Sequence, residues 1–267
     1  MKKKLISAVM AMMMTMSLAA CGSAQSTGSA SADSDVAYIK EKGTLIVGIT
    51  DFAPMDYKDD AGNWIGFDAD MASKVAESLG VNVQFVEIDW DNKILELDNK
   101  SIDVVWNGMT LTSEVTNAME CTKPYLNNAQ VVVVPAADAA NYTDAASVSG
   151  LSFAVESGSA GEQAAKDNGF NYTALTSQAD AVMEVDAGTS QACIIDLLMA
   201  GAMIGEGTSY SDLAHTVELT TEEYGIGCRK GSDLAAYINE QLAAFYKDGS
   251  MQEIAKTYGV QDALIAQ

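Results

Sequence analysis

Residues 67–79, Phe-Asp-Ala-Asp-Met-Ala-Ser-Lys-Val-Ala-Glu-Ser-Leu, decide the fold class. Phe67, Met71, Val75 and Leu79 recur at four-residue steps, which sets them along one helical face with Lys74 and Glu77 outside. Gly80 stands where such a helix stops. Before it lies Thr44–Ile49 (TLIVGI), a short β-branched run of the buried-strand kind, and after it Val81–Val86 alternates as a strand. A second helix over about 92–99 leads to a strand at Ile102–Trp106. Strand, helix, strand, helix in that order implies a parallel sheet with helices on its faces.

The same grammar resumes at Gln130–Val134. Ser152–Val155 and Ala192–Asp196 read as strands, and Ser159–Lys166 and Ser177–Val185 as helices. The chain changes character at Thr220–Gly227 and closes with a helix over about Asp233–Tyr246, apolar at Leu234, Ile238, Leu242 and Phe245 and stopped by Gly249. Ser250 and Glu253 have the spacing of a capping box for one more helix. The expectation is an α/β protein of two lobes.

The 267 residues are 48% hydrophobic and 19% charged, a globular composition. At about 100–200 residues per domain, that length holds two domains or one inserted in another. Asp and Glu total 37 against 15 Lys and Arg, for a formal charge of −22. So acidic a surface, with no basic stripe, excludes nucleic-acid binding. The single histidine, His215 on the polar stretch Ser211–His215, rules out a His-rich metal site and supports no catalytic constellation. Neither metal nor cofactor is expected. Cys121, Cys193 and Cys228 have no zinc or CxxC spacing and read as small buried hydrophobes. Cys121 and Cys228 are the pair to bridge if they share a lobe.

Met1-Lys2-Lys3-Lys4 precedes an uncharged run, Leu5–Ala20, too short for the roughly 20 residues of a membrane span but apt for the apolar core of a secretory signal. It ends in Leu18-Ala19-Ala20-Cys21, which resembles a bacterial lipobox with Cys21 as the lipidated residue. Residues 1–20 are therefore expected to be removed and residues 21–35 to form a flexible tether, since 22–32 hold no large apolar residue. The body would sit outside the cytoplasm, anchored to the bilayer through acylated Cys21.

Ligands of open α/β sheets collect at strand carboxyl ends. Phe52 follows the first strand and can stack on a planar, aliphatic or cationic group, or belong to the core. Asp51 beside it can set ligand charge or simply be solvated. Trp106-Asn107-Gly108-Met109-Thr110 ends another strand, which makes Asn107, the Gly108 carbonyl and Thr110 candidate hydrogen-bonders and Trp106 either a second aromatic wall or core. Ser159 with Glu162 reads as a capping box. The amides over Ser159–Gly161, Ala160 included, can seat a carboxylate or do no more than start the helix. Asp51, Asp56 and Asp196 with few cations favour a ligand bearing a positive amine.

Phe52–Asp59, Gly66–Ala72, Ile102–Thr112 and Glu223–Gly231, taken in order and spacing, resemble the bacterial extracellular solute-binding proteins of the polar amino-acid class, which feed ABC importers. The resemblance runs from about residue 40 to 262. It implies a two-lobed periplasmic-binding-protein-like fold, with lobe 1 at 36–128 plus 222–267 and lobe 2 at 129–221. Crossings near Asn128–Val132 and Leu219–Tyr224 would form the hinge. It implies a monomer without catalytic residues that closes on one small molecule and delivers it to a membrane permease. The acid matching Asp196 grips the ligand's α-ammonium in the resembling proteins. An enzyme on the same scaffold, such as a dehydratase of a small acid, is the alternative.

One departure matters. The family phrase Thr-Pro-Glu-Arg, whose arginine forks onto the ligand carboxylate, is here Thr112-Ser113-Glu114-Val115, and valine cannot donate. The sole arginine, Arg229, falls in a phrase that reads as structural. Three ways remain: backbone amides at Thr112 and Ser159–Gly161 hold a carboxylate, Lys123 swings in, or the ligand carries none.

Overall fold

The computed structural model describes residues 34–267; the expected signal segment, Cys21 and the expected tether up to residue 33 lie outside the described residues. The body begins sooner than the expected tether allows. Ser34 starts α1 (Asp35–Lys42) by accepting from the Ala37 amide, and Gly43 ends it in the left-handed region. β1 (Thr44–Ile49) and a short hairpin of β2 (Tyr57–Lys58) and β3 (Trp64–Ile65) precede α2 (Phe67–Leu79), whose four-residue stripe is buried throughout. β4 (Asn82–Glu87), α3 (Lys93–Asp98), β5 (Val104–Thr110), α4 (Ser113–Ala118), β6 (Glu120–Cys121) and β7 (Leu126–Pro135) complete the first half. α5 (Ala145–Val148), β8 (Ser152–Glu156), α6 (Ala160–Asn168), β9 (Asn171–Leu175), α7 (Gln178–Asp186), β10 (Ala192–Asp196) and α8 (Leu197–Met203) form the second. The long β11 (Leu213–Cys228) leads back to α9 (Leu234–Asp248) and α10 (Ser250–Thr257).

The fold is α/β and two-lobed, but its lobes share one sheet, ordered β4-β1-β5-β11-β7-β10-β8-β9, with β6 beside β11. β1 is parallel to β4 and β5, and β8 is parallel to β9 and β10. β7 and β11 join these parallel sets as an antiparallel pair running from Leu213 opposite Pro135 to Tyr224 opposite Leu126. The two stretches expected as separate crossings therefore pair with each other, Thr220 against Gln130 and Glu222 against Asn128, with a register irregularity between Glu218 and Thr220.

Two local expectations change. Gly249 occupies the cap position of α10, so Ser250 is already inside the helix and no side-chain cap forms. The three thiols are free. Cys121 lies opposite Gly227 and Cys228 opposite Glu120, so strand alternation sends the two side chains to opposite faces of the sheet and they do not bridge. Cys121 packs against the cluster of Trp90 and Met109, whereas Cys228 belongs to the cluster of Ile226 and Leu234. Arg229 is structural: its Nη2 pairs with Asp35 Oδ1 at 2.9 Å and its Nη1 donates to the Ile102 carbonyl at 2.8 Å. His215 is exposed on β11. Among the described residues no helix is long and apolar enough to cross a membrane.

Candidate ligand cleft

The carboxyl ends of β1, β5, β8 and β10 converge on a cavity of about 220 Å³. Phe52, Asn107 and Thr110 line it from the first half, and Glu156, Ser159 and Asp196 from the second. Drug-sized ligands occupy roughly 300–1,000 Å³, so this space suits one small molecule.

The first-half wall is held from behind. β5 departs from regular pairing where Met109 opposes Gly225 but Val105 opposes Gly227, and Gly108 sits in that irregularity at φ +53°. A Cβ on Gly108 would stand 2.5 Å from the Phe52 ring, so only glycine lets the ring lie on the strand. The ring also meets Tyr224 edge to face, centroids 6.4 Å apart. The Asn107 amide takes Thr50 N and Oγ1 on its oxygen and gives its hydrogens to Thr50 O and Asp56 Oδ2. All four of its bonds are thus spent within the protein. Below it, Asp68 Oδ2 accepts from Gly108 N at 2.6 Å and from the Tyr125 hydroxyl at 2.7 Å. Burial raises Asp68 to about 6, and burial together with the Asp68 charge pushes Asp56 well above the carboxylate range.

On the second-half wall, Asp196 ends β10 in a shell of donors. Asn128, Gln130 and the Tyr224 hydroxyl give to Oδ1, and Gln178 gives to Oδ2. Asn128 and Gln130 also donate to Glu222 Oε1, at 2.7 and 2.8 Å, and so does Thr110 from the first half at 2.8 Å. Burial, then the facing Glu222 carboxylate, push Asp196 well above its ordinary range. Glu156 ends the neighbouring β8. It is 3% exposed, its Oε1 has no partner among the described residues, and burial raises it to about 8. Ser159 Oγ caps α6 by accepting from Glu162 N at 3.0 Å, and the Glu162 side chain reaches back to Gly158 N, not to Ser159 N. The amides of Ala160 and Gly161, the first two of the helix, have no acceptor within it.

The halves also touch at Lys93. Lys93 Nζ, on α3, donates to the Trp90 carbonyl at 3.1 Å and across to the Gly158 carbonyl at 2.9 Å. Gly158 is at φ +70°, and a Cβ there would lie 2.8 Å from Asp91 Cα, so glycine permits this approach.

The model of one protein family matches residues 45–261, nearly the whole described body. The chain belongs to the bacterial extracellular solute-binding proteins, family 3. It is 27% identical over 225 residues to the L-cystine-binding protein TcyJ of Escherichia coli (strain K12), covering 82% of this chain and 84% of TcyJ. The crystal structure of the P235GK mutant of ArgBP from T. maritima superposes with a TM-score of 0.78 at 31% identity, covering 84% of this chain and 98% of that one. A cyclohexadienyl dehydratase of Pseudomonas aeruginosa is 28% identical over 133 residues, 49% of this chain and 50% of the dehydratase.

Within this family member, Phe52, Asn107, Gly108, Thr110, Thr112, Ser159, Ala160 and Asp196 all line the cavity. Asp51 and Trp106 do not. Asp51 is exposed beside the strand end, and Trp106, next to Asn107 on β5, turns to the other face and is fully buried in the core. Thr112 spends its amide on the Thr110 carbonyl and its hydroxyl on capping α4, so it offers no free N–H. Val115 presents an apolar surface to the cavity. Lys123 is exposed, its amide bound to Asn239 of α9, and is absent from the cavity wall. The sequence does not single out Glu156, Gln178 or Lys93, all of which line the cavity, or Glu222 beside Asp196. Glu156 was findable: it ends β8 as Asp196 ends β10.

Proposed function

We propose that this chain captures a small amine-bearing solute, first of all an amino acid, between its lobes and delivers it to an ABC permease. In this reading it is a non-catalytic, monomeric lipoprotein held outside the cell membrane through Cys21. The lobes are 36–128 with 222–267, and 129–221. They close about the paired segments around Asn128 and Thr220, because a ligand touching both lobes favours the closed form. Phe52 packs on the ligand, Asp196 takes its ammonium as a charge-assisted hydrogen bond, and the Ala160 and Gly161 amides face its anionic end.

The observation that carries this reading is the enclosed cavity at the strand ends with two buried acids, Asp196 and Glu156, in its wall. The relatives' names, which speak of cystine and of arginine-bound ArgBP, agree with it. Glu156, with its raised pKa, also has the character of a general acid, and the dehydratase relative makes the enzymatic reading concrete. One experiment separates them. A ligand at 100 times its dissociation constant adds about 2.7 kcal/mol of stability. A thermal-shift panel of amino acids, polyamines and small acids should therefore yield a binder that is recovered chemically unchanged. A panel without a stabilising member sinks the binding reading; conversion of the binder to a product transfers the assignment to the enzyme.

A further inference from the structure

Lys93 is 7% exposed, lines the cavity and belongs to no ion pair among the described residues. Its nitrogen lies 4.8 Å from the centroid of the Trp90 ring and gives two of its three hydrogens to carbonyls, Trp90 O and Gly158 O. A buried ammonium without a counter-ion is costly, and burial accordingly lowers its pKa. Four acids whose charge acts on it share the cavity wall, and none forms an ion pair with it: Asp91 and Glu114 are exposed on the rim, Glu162 is tied to Lys166 at 3.0 Å and to Gly158 N, and Glu156 is buried and holds its proton up to about 8. Of the other cations, Lys166 on the cavity wall is half-exposed and tied to Glu162 and Arg229 is paired with Asp35, while position 115 is an apolar valine.

We propose that Lys93 receives a carboxylate of the bound solute with its remaining donor, and so sets the specificity of the cleft for amino acids over the corresponding decarboxylated amines. This rests on the binding reading above and adds the residue that chooses the ligand class. The same nitrogen spans both lobes through Gly158, so an anion on Lys93 is held at the seam between them.

The test uses four pairs of probes: L-arginine and agmatine, L-histidine and histamine, L-lysine and cadaverine, L-cystine and cystamine. The wild-type protein is expected to bind at least one amino acid and to prefer it over its decarboxylated partner in calorimetry. Lys93→Met should weaken the amino acid by about 10- to 100-fold, the range for a hydrogen bond to a charged group, and leave the amine within about threefold. Lys93→Arg should recover part of the loss. A preference ratio unchanged in Lys93→Met overturns the proposal while leaving the binding reading standing. So does a wild-type protein that binds the amine as tightly as its parent, a result that needs no variant to fold. If none of these pairs binds wild type, the amino acid that stabilises it in the panel above is paired with its decarboxylated amine instead; a panel without one sinks the binding reading, and this inference falls with it.

Discussion

β8 and β10 run side by side and each delivers a carboxylate to the same cavity, yet the two acids have opposite surroundings. Asp196 is wrapped by three side-chain amides and a tyrosine hydroxyl, whereas Glu156 keeps one oxygen with no partner. Strand-end position brings an acid to the cleft; the donors around it decide whether it can carry charge there. Burial pushes both acids up, but Asp196 has donors already in place to hold a carboxylate once a cation arrives, and one oxygen of Glu156 has none.

That contrast is broken most severely at Asp196. Asp196→Asn keeps the shape but turns an –NH2 toward donors and removes the partner of a buried ammonium, a change costing about 3 kcal/mol or more. Calorimetry should find ligand affinity reduced more than a hundredfold. Glu156→Gln replaces a protonated acid by an amide of the same shape, and below pH 7 should change affinity less than about tenfold. Equal losses at the two positions would erase the distinction.

The second effect is on stability against pH. Glu156 titrates near 8 in the fold and near its ordinary 4.5 when unfolded. Below about 4.5 both states hold the proton. Between the two values only the folded state does, so stability falls as pH rises, and the loss is complete above about 8. At about 1.4 kcal/mol per pKa unit, it amounts to on the order of 3–5 kcal/mol. For a chain of this size each kcal/mol moves Tm by roughly 2–4 °C. Melting curves from pH 5 to 9 should descend for wild type and lie flatter for Glu156→Gln; parallel curves would falsify the buried-acid account.

A smaller effect belongs to Ser159, which serves the same wall through the backbone. Ser159→Ala removes the hydroxyl that accepts from Glu162 N and should cost about 1 kcal/mol of stability, or roughly 2–4 °C in Tm. The Ala160 and Gly161 amides stay in place, so affinity should change only a few-fold. A large loss of binding with little loss of stability would make the hydroxyl itself a ligand contact.

How far the cleft could be read from sequence depends on what each residue's placement requires. The stripe Phe67–Leu79 and the strand-end acid Asp196 follow from local periodicity, and both sit as expected. Trp106 and Asn107 could not be sorted the same way, because Val104–Met109 is buried on both faces and its alternation carries no polarity signal. Lys93 escapes altogether. Its role depends on a carbonyl 65 positions away, brought near by the continuous sheet that links β5 to β8 through β11, β7 and β10. The capping box at Ser250 fails for a more local reason: Gly249 turns the chain itself and takes the cap position one residue early.

Asp51 supplies the control for all of this, a third strand-end carboxylate that the cavity leaves out. It follows β1 as Asp196 ends β10, but it is exposed outside the cavity with no hydrogen-bond or ion-pair partner among the described residues, and crowding by the surrounding chain and the Glu87 charge raise its pKa. Substitutions at exposed positions of this kind usually stay within about 0.5 kcal/mol. Asp51→Asn should therefore leave both Tm and ligand affinity nearly unchanged, affinity within about twofold. If strand-end position alone made an acid functional, Asp51→Asn would weaken an amine-bearing ligand as Asp196→Asn does. Calorimetry on the two variants side by side therefore asks whether enclosure, rather than topology, makes the site.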